Sequence, residues 1–282
     1  MRFDGKVALV TGAAHGMGAC EALQFAKEGA NIVALDISKQ ISTLDYSLGS
    51  SDELSKLVNE IKGMGRKAIG VVADVRKSDE VKNAVDKAIA EFGKIDILVN
   101  NAGVLVVSPL IHTTEEQIRL LIDVNIKGVI HCCQHVIPHM AKQRYGKIIN
   151  ISSGAGLYAE PCISVYAATK YAVLGLTESL AAELAYYNIN VNAVCPGNIR
   201  TPMHQIRRGD ADDQETEDAG AEGPLAYTAT FFRREVTAQD IANTVLFLAS
   251  EEASNITSHW LPVTAGVEKI APSPSIKPYF TI

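Results

Sequence analysis

Residues 6–18 read KVALVTGAAHGMG, an apolar run that passes directly into a glycine-spaced turn. KVALVT shows no alternation of polar and apolar residues, so it reads as a strand buried on both faces. Glycines at 12, 16 and 18 permit a tight turn. They also let the backbone approach a pyrophosphate, which then lies at the positive end of the following helix. The spacing is G-x-x-x-G-x-G rather than the commoner G-x-G-x-x-G. At this point a glycine turn that serves only helix–strand packing stays open.

Working outward, the same alternation of strand and helix continues. Residues 31–36 (NIVALD), 67–74, 95–100 (IDILVN), 147–152, 190–195 and 259–263 read as strands. Residues 52–64, 78–92, 115 to about 140, 164–187 and 238–250 read as helices from their apolar spacing. Strands joined by helices demand parallel pairing, which predicts an α/β, doubly wound sheet of about seven strands with helices on both faces. One domain, 1–282, is expected, with ligands at the carboxyl ends of the strands where strand order reverses. Two stretches break the pattern. Residues 37–51 (ISKQISTLDYSLGSS) form a long strand-to-helix connection, read as a surface insertion that the sheet could lose. It leaves the strand beside Asp36 and so should fold over the adenosine half of a dinucleotide. Residues 203–235 hold an acidic run, 210–222, between Arg207–Arg208 and Arg233–Arg234, and read as a lid over substrate. A tail, 271–282, carries Tyr279 and Phe280, which either dock on an oligomer or stay free.

Composition excludes several classes. Hydrophobic residues are 47% and charged residues 21%, an ordinary balance for a globular core. A net charge of -6 argues against nucleic acid as the main partner. No run of eighteen apolar residues occurs, so no membrane span is expected; MRFDGKVALVTG lacks a basic n-region followed by an apolar stretch and cleavage site, so secretion is not expected. Five cysteines without a C-x-x-C pair fit a reducing cytoplasm better than a disulfide framework.

Chemistry-bearing residues fall at strand ends. Asp36 closes the second strand, where a carboxylate can accept bonds from ribose hydroxyls and repel a 2′-phosphate, favouring NAD over NADP. Lys39 lies near enough to oppose that preference, and a simple strand-end cap is the plain alternative. Tyr166 and Lys170 stand one helical turn apart in YAATK. A neighbouring ammonium should lower the phenol's pKa toward use as a base. His131, His135 and His139 recur at four-residue spacing. Pro138 is expected to interrupt the helix before the third, so packing is the reading and no metal is expected.

The chain resembles the short, single-domain branch of the short-chain dehydrogenase/reductase family. The resemblance rests on TGxxxGxG from Thr11 to Gly18, Asp36, Asp74 with Val75, and NNAG from Asn100 to Gly103. It continues with Asn125 in DVNIKG, the ISS ending in Ser152 and Ser153, YxxxK at Tyr166 and Lys170, and PGxxxTPM from Pro196 to Met203. This resemblance implies a Rossmann-type fold and an NAD cofactor. It also implies a small-molecule alcohol or ketone substrate and a homo-oligomer, dimer or tetramer. Tyr166 would move the proton, Ser153 rather than Ser152 would steady the carbonyl oxygen, and Lys170 would hold the nicotinamide ribose. Asn125 would hold a water linking that lysine to solvent. Cofactor contacts would come from Gly12, His15, Gly16, Met17, Gly18, Asp36 and Ile37. Asp74, Val75, Asn101, Ala102 and Gly103 would add to them, followed by Tyr166, Lys170, Pro196, Gly197, Ile199, Thr201 and Met203.

The function expected is hydride transfer between a hydrophobic secondary alcohol or ketone and nicotinamide, with steroid, terpenoid and diol substrates all open. A non-enzymatic NAD sensor on the same fold is one rival, although the four catalytic residues are all present. An epimerase or dehydratase is another, and the glycine spacing opposes it. The insertion also resembles, weakly, that of a subgroup that holds NAD tightly and passes electrons to mycofactocin.

Overall fold

The computed structural model describes residues 1–158, 160–199, 203 and 236–266. Strands run at Val7–Thr11 (β1), Asn31–Asp36 (β2), Ala68–Val72 (β3) and Ile97–Asn100 (β4). Gly146–Ile151 (β5), Ile189–Pro196 (β6) and Trp260–Val263 (β7) complete a parallel sheet ordered β3-β2-β1-β4-β5-β6-β7. Helices span Gly16–Lys27 (α1), Ser51–Gly63 (α2), Ser78–Phe92 (α3), Glu115–Ile122 (α4), Gly128–Gln143 (α5), Ser164–Leu184 (α6) and Ala238–Ala249 (α7).

The doubly wound arrangement is visible in the side chains of β1. Val7 and Leu9 join a core that includes Val85 of α3, Val136 of α5 and Val173 of α6. Ala8 and Val10 point the other way, to a core with Phe25 of α1, Ile61 of α2 and Val245 of α7. Each strand residue is thus covered on one face or the other, which is why KVALVT carries no polar alternation. Strand β1 pairs with β2 on one side and β4 on the other. The order reverses there, and a crevice opens at the carboxyl ends of β1 and β4.

The long helix expected from residue 115 to about 140 is instead two helices joined by a π turn, Asp123–Lys127. That turn carries Asn125, and such local widening is frequent at functional positions. Helix α5 then runs through Pro138 to Gln143, where an interruption had been expected. Proline removes the bond to the carbonyl of Gln134, but Gln134 is exposed and water can satisfy that oxygen. Val136 and Met140, fully buried on either side, keep the helix in place. The stretch Glu115–Gln143 is long and apolar enough to cross a membrane by length and composition, and half of its most apolar window is buried inside the protein.

Residues 37–50 do not behave as a surface loop. Leu44 and Tyr46 are buried in the core beside Leu35, Val71 and Val104. Gln40 ties the segment to itself: its Nε2 donates to the carbonyls of Ile41, Leu44 and Tyr46, and its Oε1 accepts from Leu48 N. Ser50 and Glu53 then form a reciprocal cap that starts α2.

Candidate active site

The turn after β1 is shaped by glycine. Gly12 and Gly16 adopt φ of 64° and 61°, which side chains with a Cβ resist. Gly18 lies behind them in α1, where a Cβ would overlap the Gly12 carbonyl oxygen. The turn is stapled to the end of β4: Asn101 Nδ2 donates to the Thr11 and Gly12 carbonyls, and Thr11 Oγ1 accepts from the amides of Asn101 and Ala102. Asn101 Oδ1 is buried and has no hydrogen-bond partner.

Above this turn a cleft is walled by Gly12, His15, Gly16 and Met17 from β1–α1, and by Asp36 and Ile37 from the end of β2. Asp74, Val75, Asn101, Ala102 and Gly103 close its far side. Asp36 is buried, with Oδ2 accepting from Ala14 N at 3.0 Å and Oδ1 from Ser38 N at 2.8 Å. A carboxylate can take about four bonds, so two acceptor positions remain. Asp74 is differently engaged. Arg76 Nε and Nη2 fork onto its two oxygens, with Nη2 to Oδ2 at 2.6 Å. Together with Arg76 N, this guanidinium holds the Asp74 carboxyl below the usual carboxylate range despite burial. Lys39 is exposed.

The insertion lies beside Asp36, as its exit from the second strand suggested, and walls this cleft with residues that sequence reading did not name: Ile41, Tyr46, Leu48 and Gly49. Gly49 approaches so closely that a Cβ on it would lie 2.5 Å from Ala14 Cβ and 3.1 Å from Asp36 Oδ1. Apolar residues at 41, 44, 46 and 48, in a segment of turn-forming neighbours, were the available signal.

A second cleft continues from the first, sharing Met17, Asn101, Gly103 and Met203 with it. Its walls include Ser152, Ser153, Tyr166, Lys170, Pro196, Gly197 and Ile199, with Leu105 as an addition that sequence reading missed. Ser153 begins a short 3-10 turn, accepting from Ala155 N, and is hydrogen-bonded to the Tyr166 phenol. Ser152 Oγ instead donates to the Lys170 carbonyl. Lys170 Nζ lies 5.6 Å from the centre of the Tyr166 ring and donates to the Ile151 carbonyl at 2.9 Å. Burial pulls the Lys170 ammonium down to about 8. Burial also raises the Tyr166 phenol, opposed by its Ser153 bond. The lowering expected from the neighbouring lysine does not emerge: desolvation of a phenolate in this cleft dominates, and the opposing influence comes from Ser153.

Asn125 is fully buried beneath the cleft rather than on its wall. It accepts from Val104 N, and its Nδ2 donates to the Val104 carbonyl and to Thr169 Oγ1, which in turn donates to the Tyr166 carbonyl. Thr201, most of the 203–235 segment and the 271–282 tail lie outside the described residues. Two of the three histidines in the row are hydrogen-bonded: His131 Nδ1 to the Val75 carbonyl at 2.9 Å and His135 Nε2 to Ser78 Oγ at 2.9 Å.

Comparison with known proteins matches this geometry to a family. The model of the short chain dehydrogenases matches residues 6–212. A 3-oxoacyl-[acyl-carrier-protein] reductase of Thermotoga maritima is 40% identical over 267 residues, covering 95% of this chain and 99% of the reductase. A (-)-trans-carveol dehydrogenase of Rhodococcus erythropolis is 38% identical over 275 residues, covering 94% and 98%. The crystal structure of a short chain dehydrogenase from Mycobacterium paratuberculosis bound to NAD superimposes with a TM-score of 0.88 at 34% identity, covering 96% and 100%. With that match across nearly the whole chain, the protein belongs to the short-chain dehydrogenase family and is an oxidoreductase acting on CH–OH groups.

Proposed function

We propose that this oxidoreductase transfers a hydride between NAD(H) and a hydrophobic secondary alcohol or ketone of steroid, terpenoid or diol class. The observation that carries this reading is the cluster of Ser153, Tyr166 and Lys170 in a cleft that runs on into a second one floored by the glycine turn. The residues fit a dinucleotide. Asp36 keeps acceptor capacity for ribose hydroxyls, Asn101 Oδ1 has no internal partner, and Gly12 and Gly18 leave the turn bare of side chains. Bound there, the nicotinamide would supply or accept the hydride. Gly16 and Met17 at the start of α1 would hold the pyrophosphate, since helix N-terminal amides favour an anion.

In this reading Tyr166 gives its phenolic proton to the ketone oxygen in reduction and takes the hydroxyl proton in oxidation. Ser153 donates to the same oxygen and fixes its position. Lys170 holds the nicotinamide ribose and places its cation beside the phenol, easing phenolate formation against the cost of burial. The negative carboxylate of Asp36 favours NAD over NADP. The resemblance to the carveol dehydrogenase supports a hydrophobic alcohol, and the reductase supports the reverse direction. A cytoplasmic homo-oligomer, dimer or tetramer, is part of the same proposal. The test is a screen of steroid, terpenoid and diol alcohols with NAD+ and with NADP+, following reduced-cofactor absorbance. Turnover that prefers NAD+ is expected, and a preference for NADP+ overturns the cofactor assignment.

A second reading is favoured by the insertion packed against Asp36: NAD stays bound through the cycle and is reoxidised in place by an external acceptor, as in the mycofactocin-linked subgroup. Mass spectrometry of the purified protein distinguishes the two. Bound nicotinamide that survives gel filtration supports retention. Cofactor-free protein that turns over readily with added NAD+ excludes it.

A further inference from the structure

We propose that Tyr46, in the insertion, is a positioning residue that couples closure over the dinucleotide to the shape of the substrate cleft. The inference rests on the reading of the two clefts as cofactor and substrate sites. The Tyr46 ring is buried in the core, while its hydroxyl oxygen accepts from Leu105 N at 3.0 Å. Leu105 lines the cleft that holds Ser153 and Tyr166, and Tyr46 itself lines the other cleft. One side chain therefore touches the cover of the first cleft and the wall of the second.

The segment that follows β4 is pinned at two adjacent residues by two different parts of the chain. Asn125 grips both the N–H and the carbonyl of Val104, and Thr169 links that grip to the Tyr166 backbone. Leu105 N is held by the Tyr46 hydroxyl, from the insertion. Loss of the Tyr46 bond leaves a buried N–H without its acceptor, a cost that a backbone shift at Leu105 relieves. Val104 stays fixed by Asn125, so the displacement falls on the Leu105 wall rather than on the catalytic tyrosine. A phenylalanine at 46 would fill the same core space. The hydroxyl is what connects the two clefts.

The insertion can transmit this because it is internally knotted by Gln40 and anchored by Leu44. Opening it to release the dinucleotide draws Tyr46 away from Leu105. Closing it restores the wall against which a hydrophobic substrate packs.

Tyr46→Phe, Gln40→Ala and the double variant test the coupling. The measurements are NADH dissociation by stopped-flow fluorescence, substrate KM and kcat at saturating cofactor, and thermal midpoint. Tyr46→Phe should keep kcat near the parent value, with a thermal midpoint lower by only the few degrees that one buried hydrogen bond is worth. Its NADH release rate and substrate KM should each rise about five- to tenfold, the scale of one lost hydrogen bond. A rise in KM at constant kcat is the signature of lost uniform binding, which a purely structural role would not give. Gln40→Ala should raise the same two quantities while leaving the Tyr46 hydroxyl in place. The double variant should be no worse in KM than Tyr46→Phe, because both act through one contact. Unchanged KM in Tyr46→Phe, or effects of the two substitutions that simply multiply, would overturn the coupling. Parent protein that binds no NADH at all removes the reading of the clefts together with the inference.

Discussion

The Lys170 carbonyl accepts a 2.9 Å hydrogen bond from Ser152 Oγ, so the first of two adjacent serines is committed to the backbone of α6. The second, Ser153, bonds the Tyr166 phenol in the cleft. Two neighbours of the same chemistry thus have separate work, one tied to backbone and the other to the phenol. Ser153→Ala should lower kcat/KM by about 10²-fold, in the range of a lost donor at a developing charge. Ser152→Ala should lower stability by about 1 kcal/mol and leave most activity. Steady-state kinetics and urea midpoints on both variants decide the matter. Greater loss of turnover in Ser152→Ala reverses the assignment.

Glu21 in α1 is fully buried, and neither carboxylate oxygen has a hydrogen-bond partner. Burial pushes its pKa from the ordinary 4.5 up to about 8. Between those values the native protein keeps a proton that the unfolded chain releases, so this group makes stability fall as pH rises from about 4.5 to about 8. Glu21→Gln removes the ionisation while keeping the shape. Its unfolding free energy should gain on the parent by as much as a few kcal/mol from pH 5 to pH 8. The cost of a buried, unpaired amide is the same at both pH values and cancels from that difference. Urea denaturation at the two pH values measures it, and a gap that does not widen toward pH 8 shows that Glu21 is already ionised in the folded state.

Asp36 accepts from Ala14 N and Ser38 N, so it shapes the turn as well as facing the cleft. Asp36→Asn keeps the side-chain volume and one acceptor but removes the charge that opposes a 2′-phosphate. The ratio of kcat/KM for NADP to that for NAD should rise, with NAD itself bound more weakly. An unchanged ratio would place discrimination in the steric approach of Gly49 to this carboxylate rather than in its charge.

The sheet was legible because burial on both faces writes itself as unbroken apolar runs such as KVALVT and NIVALD. Helix α3 was legible from its one-sided apolar spacing. Sites were legible where a turn or cap demands a residue type, as at Gly12 and in the Tyr166–Lys170 turn. The π turn at Asn125 left no mark, since its sequence is that of an ordinary helix. Continuity through Pro138 depended on Gln134 facing water, which spacing alone does not tell. The insertion was legible in part. Its exit beside Asp36 pointed to a cover for the cleft, but the burial of Leu44 and Tyr46 did not, because the short alternation at 44, 46 and 48 lies among polar, turn-forming neighbours and so reads as surface.

Leu44 is the residue on which that last point turns. It is 6% exposed and packs in the same core as Leu35, Val71 and Tyr46, although it belongs to a connection between strand and helix. Were residues 37–50 a dispensable surface loop, shortening Leu44 to alanine would change stability by less than about 0.5 kcal/mol. As a core residue it should cost about 2–4 kcal/mol, from lost burial and the cavity left behind. The same substitution removes the anchor of the segment that walls the cleft beside Asp36, so NADH release should quicken along with the loss of stability. A urea midpoint with a stopped-flow release rate on Leu44→Ala tests both halves. A large stability loss with unchanged release would make the insertion a structural brace and not a cover. Small effects on both would return it to the surface loop that its sequence suggests.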